Sequence, residues 1–347
     1  MRIIIIGGGL AGTLLGFQLA REGVEVHLFG DPSHGAWRVA AGLFNTITGL
    51  RAAKTWKALE LVETLHKFYT NYPEFKQFIH WKPIYRPFKN YFEVNEWSVK
   101  VQTDEFDFVE YCKEPLPHIL NPLGGILIKN TGYVEVAPLV EKLQAVINQL
   151  PNASIIPSAL EEENIDPIRN RIIWQKQVIY YDYLVFANGL AVLKSKIWQN
   201  LPIIPLKGEL AFFEVFPEFR FPYIISAQKF LLPLSSHTIL VGSTYERYQN
   251  DELPTKTALI EFENFLRQIL AEEFEFRCIK QIAGVRASTP DRRPIIGPHP
   301  YFSNIFIFNG LGTKGVLLAF HFSLKLKEVL LKSMALDKEV VVSRFNT

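Results

Sequence analysis

Hydrophobic residues near the start of the chain occur first as a continuous run and then at helical spacing. "RIIII", residues 2–6, is a β-branched run typical of a strand buried on both faces of a parallel sheet. Apolar residues between 10 and 19 recur at helical spacing, and Gly23 stands where a left-handed helix cap is expected. "VEVHLF", residues 24–29, predicts a second strand. The first thirty residues therefore predict a βαβ unit with a right-handed crossover.

The rest of the chain mixes this parallel pattern with aromatic blocks. Strands are predicted at 153–157, 171–180, 183–187 and 304–308, and helices at 55–72, 134–150, 255–271 and up to about 333. Residues 81–112 and 206–247 are rich in aromatic and β-branched residues and favour antiparallel strands, while prolines make 113–125 a loop. We infer an α/β fold interleaved with an α+β second domain, whose sheet is mixed and largely antiparallel. The first domain takes residues 1–78, 132–205 and 285–347, and the second takes 79–131 and 206–284.

Composition excludes several classes of protein. The 347 residues are 48% hydrophobic and 21% charged, which is ordinary for a globular protein, and the net charge of +2 predicts no affinity for nucleic acid or membranes by itself. Cys112 and Cys278 form neither a disulfide framework nor a zinc-binding spacing. No apolar stretch approaches the roughly 18 residues of a membrane span, and the first strand leaves no room for a signal peptide. We expect a soluble, cytoplasmic protein without a metal site or a membrane partner.

"GGGLAG", residues 7–12, fits G-x-G-x-x-G between a strand and a helix. Gly7 suits a tight turn, Gly9 lets a pyrophosphate approach the backbone, and Gly12 allows close helix packing, while the helix N-terminus offers partial positive charge. The same glycines would also suit a turn kept for packing. We expect a dinucleotide site at Gly7, Gly8, Gly9, Leu10, Ala11 and Gly12.

The acid that usually binds the adenosine ribose is expected at the end of the second strand. Gly30 occupies that place, and Asp31 follows one residue later. Asp31 either reaches the ribose hydroxyls through a shifted turn or only caps the turn before Pro32. No arginine follows directly, so a phosphorylated ribose is not expected.

A second glycine turn, "NGLGTKGVLLAF", lies between a predicted strand and helix near the end of the chain. Its backbone N–H groups at a helix N-terminus would stabilise the negative charge that builds on the pyrimidine end of a reduced flavin. Enzymes that use NAD have no comparable need. The turn therefore favours FAD as the cofactor, and the competing interpretation is a helix start with a flexible entry.

Arg286 lies in an apolar stretch ahead of the turn at "TPD", residues 289–291. The planar guanidinium could grip a substrate carboxylate with two hydrogen bonds, or it could form an ordinary salt bridge. Hydrolase chemistry is not indicated, because the chain has no G-x-S-x-G elbow and no His/Asp/Glu set with metal-ligand spacing.

Taken together, these segments resemble the D-amino acid oxidase and glycine oxidase family of FAD-dependent enzymes. The matching stretches occur in order and span nearly the whole chain: "GGGLAG", "AAGLFN", "GYVEVAPLVEKL", "LVFANG", "PLKGEL", "VGSTYE", "VRASTPDRRPIIG" and "GLGTKGVLLA". The resemblance implies a Rossmann-like FAD domain and a substrate domain built on an antiparallel sheet. It implies that Arg286 binds the substrate carboxylate. It also implies cofactor contacts at Ala40, Ala41, Gly42, Leu43, Ala187, Asn188, Gly189, Gly310, Leu311, Gly312, Thr313, Lys314, Gly315 and Val316.

Two departures from the family bear on the cofactor and the substrate. Relatives with covalent flavin carry a cysteine where this chain has Gly284, so we expect non-covalent FAD. Glycine oxidase-like sequences place an arginine in the last glycine turn, where this chain has Thr313 and Lys314. The "GLGTKG" form is similar to the flavin domain of the bifunctional enzyme that modifies the wobble uridine of tRNA.

The resemblance implies oxidation of the C–N bond of an amino or imino acid, such as a D-amino acid, glycine or an N-substituted glycine. Hydride would pass from the neutral amine to flavin N5, with oxygen or another acceptor taking the electrons. One alternative substrate is a carboxymethyl group on a modified tRNA uridine, the only case in which nucleic acid is a partner. Another alternative is a flavoprotein-like binding protein without turnover. Tyr85 and Tyr245 are weaker candidates for hydroxyls on the substrate side.

Overall fold

The computed structural model describes residues 1–48 and 53–345. Within them the helices are α1 (Leu10–Arg21), α2 (Ala58–Asn71), α3 (Tyr91–Lys100), α4 (Val136–Ile147), α5 (Lys256–Ile269) and α6 (Gly315–Lys332). The strands are β1 (Arg2–Ile6), β2 (Glu25–Phe29), β3 (Leu43–Phe44), β4 (Ile47–Thr48), β5 (Ala53–Lys54), β6 (Ile79–Trp81), β7 (Ile84–Pro87), β8 (Val109–Cys112), β9 (Gly125–Ile128), β10 (Gly132–Val134), β11 (Ala153–Ile156), β12 (Ile165–Asp166), β13 (Arg171–Trp174), β14 (Gln177–Tyr180), β15 (Tyr183–Phe186), β16 (Ile204–Phe216), β17 (Ile224–Ser226), β18 (Phe230–Pro233), β19 (Thr238–Gly242), β20 (Glu246–Arg247), β21 (Glu275–Ser288), β22 (Ile295–Pro298) and β23 (Ile305–Asn309).

One sheet has the order β11-β2-β1-β15-β23-β22, and all its pairings are parallel except β22 with β23. Its central strand β1 is buried on both faces, as the β-branched run predicts. Ile3 and Ile5 pack with α1, α4 and α6, while Ile4 and Ile6 pack on the opposite side. That side is covered by the antiparallel β12-β13-β14 sheet and by residues 190–203. The predicted βαβ unit is confirmed, including Gly23 with a φ of 81°.

The second large sheet is mixed. Its order is β20-β16-β19-β18-β17-β7-β9-β8, with β21 paired to β16, and only the β17–β7 pair is parallel. Helix α5 packs on one face against residues such as Phe213, and α3 packs on the other face through the fully buried Trp97. The mixed, largely antiparallel sheet predicted for the second domain is therefore present. The domain boundaries stay a proposal, because β21 crosses the proposed boundary at 284/285 and β6 of the second domain pairs with β10 of the first.

The structure corrects the prediction of strands throughout 81–112. Residues 91–100 form α3, because Asn90 caps the helix by accepting a hydrogen bond from the N–H of Glu93 at 3.0 Å. The Glu93 carboxylate reaches back to the N–H of Lys89 at 3.0 Å. This reciprocal pattern is close to a capping box, and it outweighs the strand preference of the aromatic residues. The long strand β21, which carries Arg286, was not predicted as a strand.

Candidate active site

A single elongated cavity of about 880 Å³ joins the two glycine turns. Gly9, three residues after the end of β1, and Gly312, three residues after the end of β23, both line it. This volume is near the top of the roughly 300–1,000 Å³ range of ligand pockets. The two ends of the described chain therefore meet around one ligand-sized space.

Most of the residues predicted for the site line this cavity. They are Gly7, Gly8, Gly9, Leu10, Ala11, Asp31, Ala40, Ala41, Gly42, Leu43, Ala187, Asn188, Gly189, Arg286, Leu311, Gly312, Thr313, Gly315 and Val316. Three others, Gly12, Gly310 and Lys314, do not line it. A Cβ on Gly12 would overlap the Gly7 carbonyl, so Gly12 permits the turn itself. Burial, and then the charge of Arg292, lowers the pKa of Lys314.

The first glycine turn, residues 7–12, presents backbone rather than side chains to the cavity. Gly7 has a φ of 124°, and a Cβ there would lie 2.7 Å from the Asn188 nitrogen. Helix α1 begins with Gly9 as its N-cap, without a side-chain cap and without an acidic residue in its first turn. Its first N–H groups therefore lack the usual side-chain acceptor, which suits an anionic group.

Packing explains why the usual ribose-binding acid is displaced. A Cβ on Gly30 would lie 2.5 Å from the Gly8 Cα, so no side chain fits at residue 30. Asp31 lines the cavity, but its Oδ1 accepts hydrogen bonds from the Ser33 hydroxyl at 2.6 Å and the Ser33 N–H at 2.8 Å. These bonds lower the pKa of Asp31. Asp31 does cap its turn, and a contact with ribose stays a prediction.

Asn309 connects the second glycine turn, residues 310–316, to the segment that follows β15. Its Nδ2 donates to the Gly189 carbonyl at 2.9 Å, and its Oδ1 accepts from the Gly310 N–H at 2.8 Å. Helix α6 then begins at Gly315, again without a side-chain cap and without an acidic residue in its first turn. Nearby, the buried Oδ1 of Asn188 has no hydrogen-bond partner within the described residues. The cavity therefore has a second uncapped helix N-terminus, at α6, and a free acceptor on Asn188, which lies between the two glycine turns.

The side chain of Arg286 extends from β21 to the wall of the cavity, beside Ser243 and Tyr245. Its Nη2 donates to the Ser243 Oγ at 3.2 Å, and its Cζ lies 5.5 Å from the centre of the Tyr245 ring. Its Nη1 is buried without a hydrogen-bond partner, and no carboxylate in the described part of the chain pairs with the guanidinium. Burial lowers the pKa of Arg286, although an arginine stays charged. The salt-bridge alternative is therefore wrong for the described residues.

The two tyrosines have different environments. Tyr245 is 63% exposed and lines the cavity beside Arg286. Tyr85 is fully buried in the core under α5, where its hydroxyl accepts a hydrogen bond from Asn121 Nδ2 at 2.6 Å. Burial raises the pKa of Tyr85 to about 12. Tyr85 therefore belongs to the core and not to the cavity wall.

Several residues important to the geometry were not predicted. Gln144 Nε2 donates to the Gly8 carbonyl at 2.8 Å and supports the first turn from α4. Trp37 lines the cavity opposite Gly9, and Gly208 lies directly under the Arg286 guanidinium. Gly208 and Ser243 lie within the stretches "PLKGEL" and "VGSTYE", so the resemblance pointed to their segments without indicating their roles.

Two uncapped helix N-termini at one cavity, with glycine backbone at both, are typical of a dinucleotide-dependent α/β protein, which here also carries a second, mixed sheet. The structure is similar to the crystal structure of glycine oxidase from Geobacillus kaustophilus, with a TM-score of 0.81, 21% identity and 99% coverage of both chains. A family model described as FAD dependent oxidoreductase matches residues 2–324. The chain belongs to this family and is an FAD-dependent enzyme.

Two curated relatives show the extent of the similarity. The chain is 23% identical to glycine oxidase from Pseudomonas putida, over 92% of this chain and 91% of the relative. It is 22% identical to the tRNA 5-methylaminomethyl-2-thiouridine biosynthesis bifunctional protein MnmC from Leptospira interrogans, over 92% of this chain. The chain spans about 55% of that bifunctional relative's length.

The residues present fit FAD. A long cavity, two exposed turns of backbone and the free acceptor on Asn188 match a ligand with a diphosphate at one end and a polar ring at the other. Across residues 1–48 and 53–345, none of the helices combines the length and apolar character needed to cross a bilayer. The cytoplasmic location stays a prediction.

Proposed function

We propose that this enzyme oxidises the C–N bond of an amino or imino acid, and that Arg286 binds the substrate carboxylate. The observation that carries the proposal is the guanidinium of Arg286, which lines the cavity, keeps a buried Nη1 without a hydrogen-bond partner, and has no carboxylate beside it among the described residues. A buried, unpaired charge is costly, and a carboxylate offers both the opposite charge and the matching geometry. Glycine, D-amino acids and N-substituted glycines all carry that group.

The two glycine turns divide the cofactor between them in this proposal. Residues 7–12 would hold the pyrophosphate of FAD, and residues 310–316 would lie along the flavin. When bound, the flavin supplies the acceptor for the two electrons of the C–N bond. A Cβ on Gly284 would overlap the side chain of Val39, so a flavin-linking side chain has no room there and the FAD would be non-covalent.

The chain's own residues orient the substrate and exclude water from it. Arg286 holds the carboxylate, while Leu210 and Phe230 provide apolar wall on the same part of the cavity. Tyr245 stands at the exposed rim and can cover the bound carboxylate. No protein base is required when the amine binds in its neutral form, so the residues here contribute positioning and electrostatics.

The test compares Arg286→Leu with Arg277→Leu, a control on the same strand whose arginine is exposed and pairs with Glu214. Flavin reduction is followed without air, using glycine, N-methylglycine and D-alanine, and peroxide is assayed with air. Hydrogen bonds to charged groups contribute about 1.5–3 kcal/mol, so Arg286→Leu should lower kcat/KM by roughly 10- to 100-fold. Unchanged reduction in Arg286→Leu would show that the carboxylate binds elsewhere.

A second candidate is supported by the match to the bifunctional tRNA-modifying relative and by the "GLGTKG" turn. A carboxymethylamino group on uridine is itself an N-substituted glycine, so Arg286 could bind its carboxylate in the same way. Adding tRNA that carries this group to the anaerobic assay distinguishes the two substrates. Reduction by the tRNA and not by free amino acids would favour the nucleotide. A protein that binds flavin and is reduced by neither would be the binding protein without turnover.

A further inference from the structure

The Arg286 guanidinium lies directly on the backbone of a glycine. Arg286 is opposite Leu206 in the β16–β21 pair, so Gly208 is its diagonal neighbour across the two strands. A Cβ on Gly208 would lie 2.6 Å from Arg286 Cζ and 2.7 Å from Nη1. The absence of a side chain at residue 208 therefore sets how deeply the guanidinium can sit.

Strand β16 cannot move away to make room. The side chains of Lys207 and Glu209, which flank Gly208 on β16, point to the face of the strand opposite Arg286. On that face Lys207 Nζ binds the Asp251 carboxylate at 2.7 Å. The fully buried Glu209 accepts hydrogen bonds from Thr255 Oγ1 and Gln281 Nε2, both at 2.8 Å. Because the strand is anchored on both sides of Gly208, a larger residue there would displace the guanidinium and not the backbone.

Ser243 fixes the rotation of the guanidinium. Its Oγ accepts the Nη2 hydrogen bond at 3.2 Å, and its side chain is buried. Its carbonyl accepts a hydrogen bond from Lys229 Nζ at 3.4 Å, and Lys229 is paired with Glu261 of α5 at 2.8 Å. Ser243 is therefore held in place by Lys229, and it engages one of the five N–H donors of the guanidinium.

We propose that Gly208 and Ser243 are positioning residues for Arg286, which together determine the depth and the orientation at which its guanidinium receives a substrate carboxylate. This inference rests on the proposed function of Arg286. Gly208 acts by leaving space, Ser243 acts by holding Nη2, and neither needs to touch the substrate.

The expected effect follows from the distances. Ordinary contact begins at 3.4 Å, and a Cβ on residue 208 would overlap Nη2 and lie 2.6 Å from Cζ, so the guanidinium must move by at least about 0.8 Å. A misplacement of about 1 Å at a reacting centre can cost on the order of 100-fold in rate. Gly208→Ala should therefore lower kcat/KM for carboxylated amines by roughly 10- to 100-fold. Ser243→Ala should raise KM several-fold and change kcat less, because the guanidinium keeps its depth but loses its fixed rotation.

The experiment uses the FAD-loaded wild type, Gly208→Ala, Ser243→Ala and the surface control Ser98→Ala. Acetate serves as a probe that binds a carboxylate site without being oxidised, and its Kd is measured from the change in the flavin spectrum. We expect the Kd to rise at least fivefold in both cavity variants, with unchanged FAD content and an unchanged rate of flavin reduction by dithionite. Ser98→Ala should behave as the wild type.

The outcomes separate this inference from the proposed function. If amino acids reduce the wild type but both cavity variants keep its acetate Kd and kcat/KM within twofold, the positioning role is wrong and the function of Arg286 stands. If the wild type neither binds acetate nor is reduced by any carboxylated amine, the proposed function fails and the inference fails with it. If Gly208→Ala does not fold, the acetate Kd and kcat/KM of Ser243→Ala alone decide whether the positioning role is right.

Discussion

Gly30 occupies the place where enzymes with this turn commonly carry the ribose-binding acid, so installing that acid is a direct test of the packing argument. A Cβ on residue 30 would lie 2.5 Å from the Gly8 Cα, about 0.9 Å closer than ordinary contact at 3.4 Å. The surroundings cannot relax easily, because the Gly30 N–H is bonded to the Ile156 carbonyl at 3.0 Å and the Gly7 N–H to the Phe29 carbonyl at 2.7 Å. Overpacking against backbone costs about 1–3 kcal/mol, and we expect the upper end of that range.

The measurement is the thermal midpoint together with the fraction of FAD retained. At about 2.1 cal/mol/K per residue, 347 residues give an unfolding entropy of about 0.7 kcal/mol/K, so a loss of 3 kcal/mol lowers Tm by about 4 °C. Gly30→Ala and Gly30→Glu should both show this loss and should retain less FAD, because residue 30 touches the first turn. Gly23→Ala is the matched control: its φ is 81° and a Cβ there meets nothing within 4 Å, so it should cost about 1–2 kcal/mol without loss of FAD. A Gly30→Glu protein that keeps wild-type stability and binds FAD more tightly would refute the reasoning.

Two further predictions concern the core and the first turn. Burial raises the pKa of Tyr85 to about 12 from about 10 in the unfolded chain, so the unfolded chain loses this proton first and stability falls as pH rises from 10 to 12. Tyr85→Phe should show a smaller drop in its urea midpoint between pH 9 and pH 11 than the wild type, and an equal drop would contradict the assignment. Gln144→Leu removes the bond to the Gly8 carbonyl, costing about 1 kcal/mol, so FAD should bind about fivefold more weakly than in the surface control Gln149→Leu. Equal FAD affinity in these two variants would show that Gln144 does not support the turn.

The sequence predicted those parts of the fold that are determined by residues close together in the chain. The βαβ unit follows from five consecutive residues of one strand, a glycine turn and the spacing of apolar residues in α1, all within thirty positions. Helix α3 was missed because its aromatic residues favour a strand, although Asn90 and Glu93 carry a capping signal. Strand β21 was missed because its exposed half, residues 275–281, is mostly polar, and its partner β16 lies some seventy positions earlier.

The candidate site also contains parts that the sequence predicts and parts that it does not. The glycine turns at residues 7–12 and 310–316 are recognisable from their own sequence, and residues of both turns line the cavity. The surroundings of Arg286 depend on Gly208 and Ser243, which come from two other strands. No spacing along the chain indicates that a glycine lies under an arginine 78 positions later, so this contact had to come from the three-dimensional structure.

The measurement that tests the central claim most directly is the absorption spectrum of the purified protein, before and after acid precipitation. The account predicts a yellow protein with an equimolar flavin, which acid releases into the supernatant as intact FAD because nothing links it to Gly284. Glycine, N-methylglycine or D-alanine should bleach the flavin without air. A colourless protein that binds NAD tightly, or a flavin that stays with the precipitate, would contradict it.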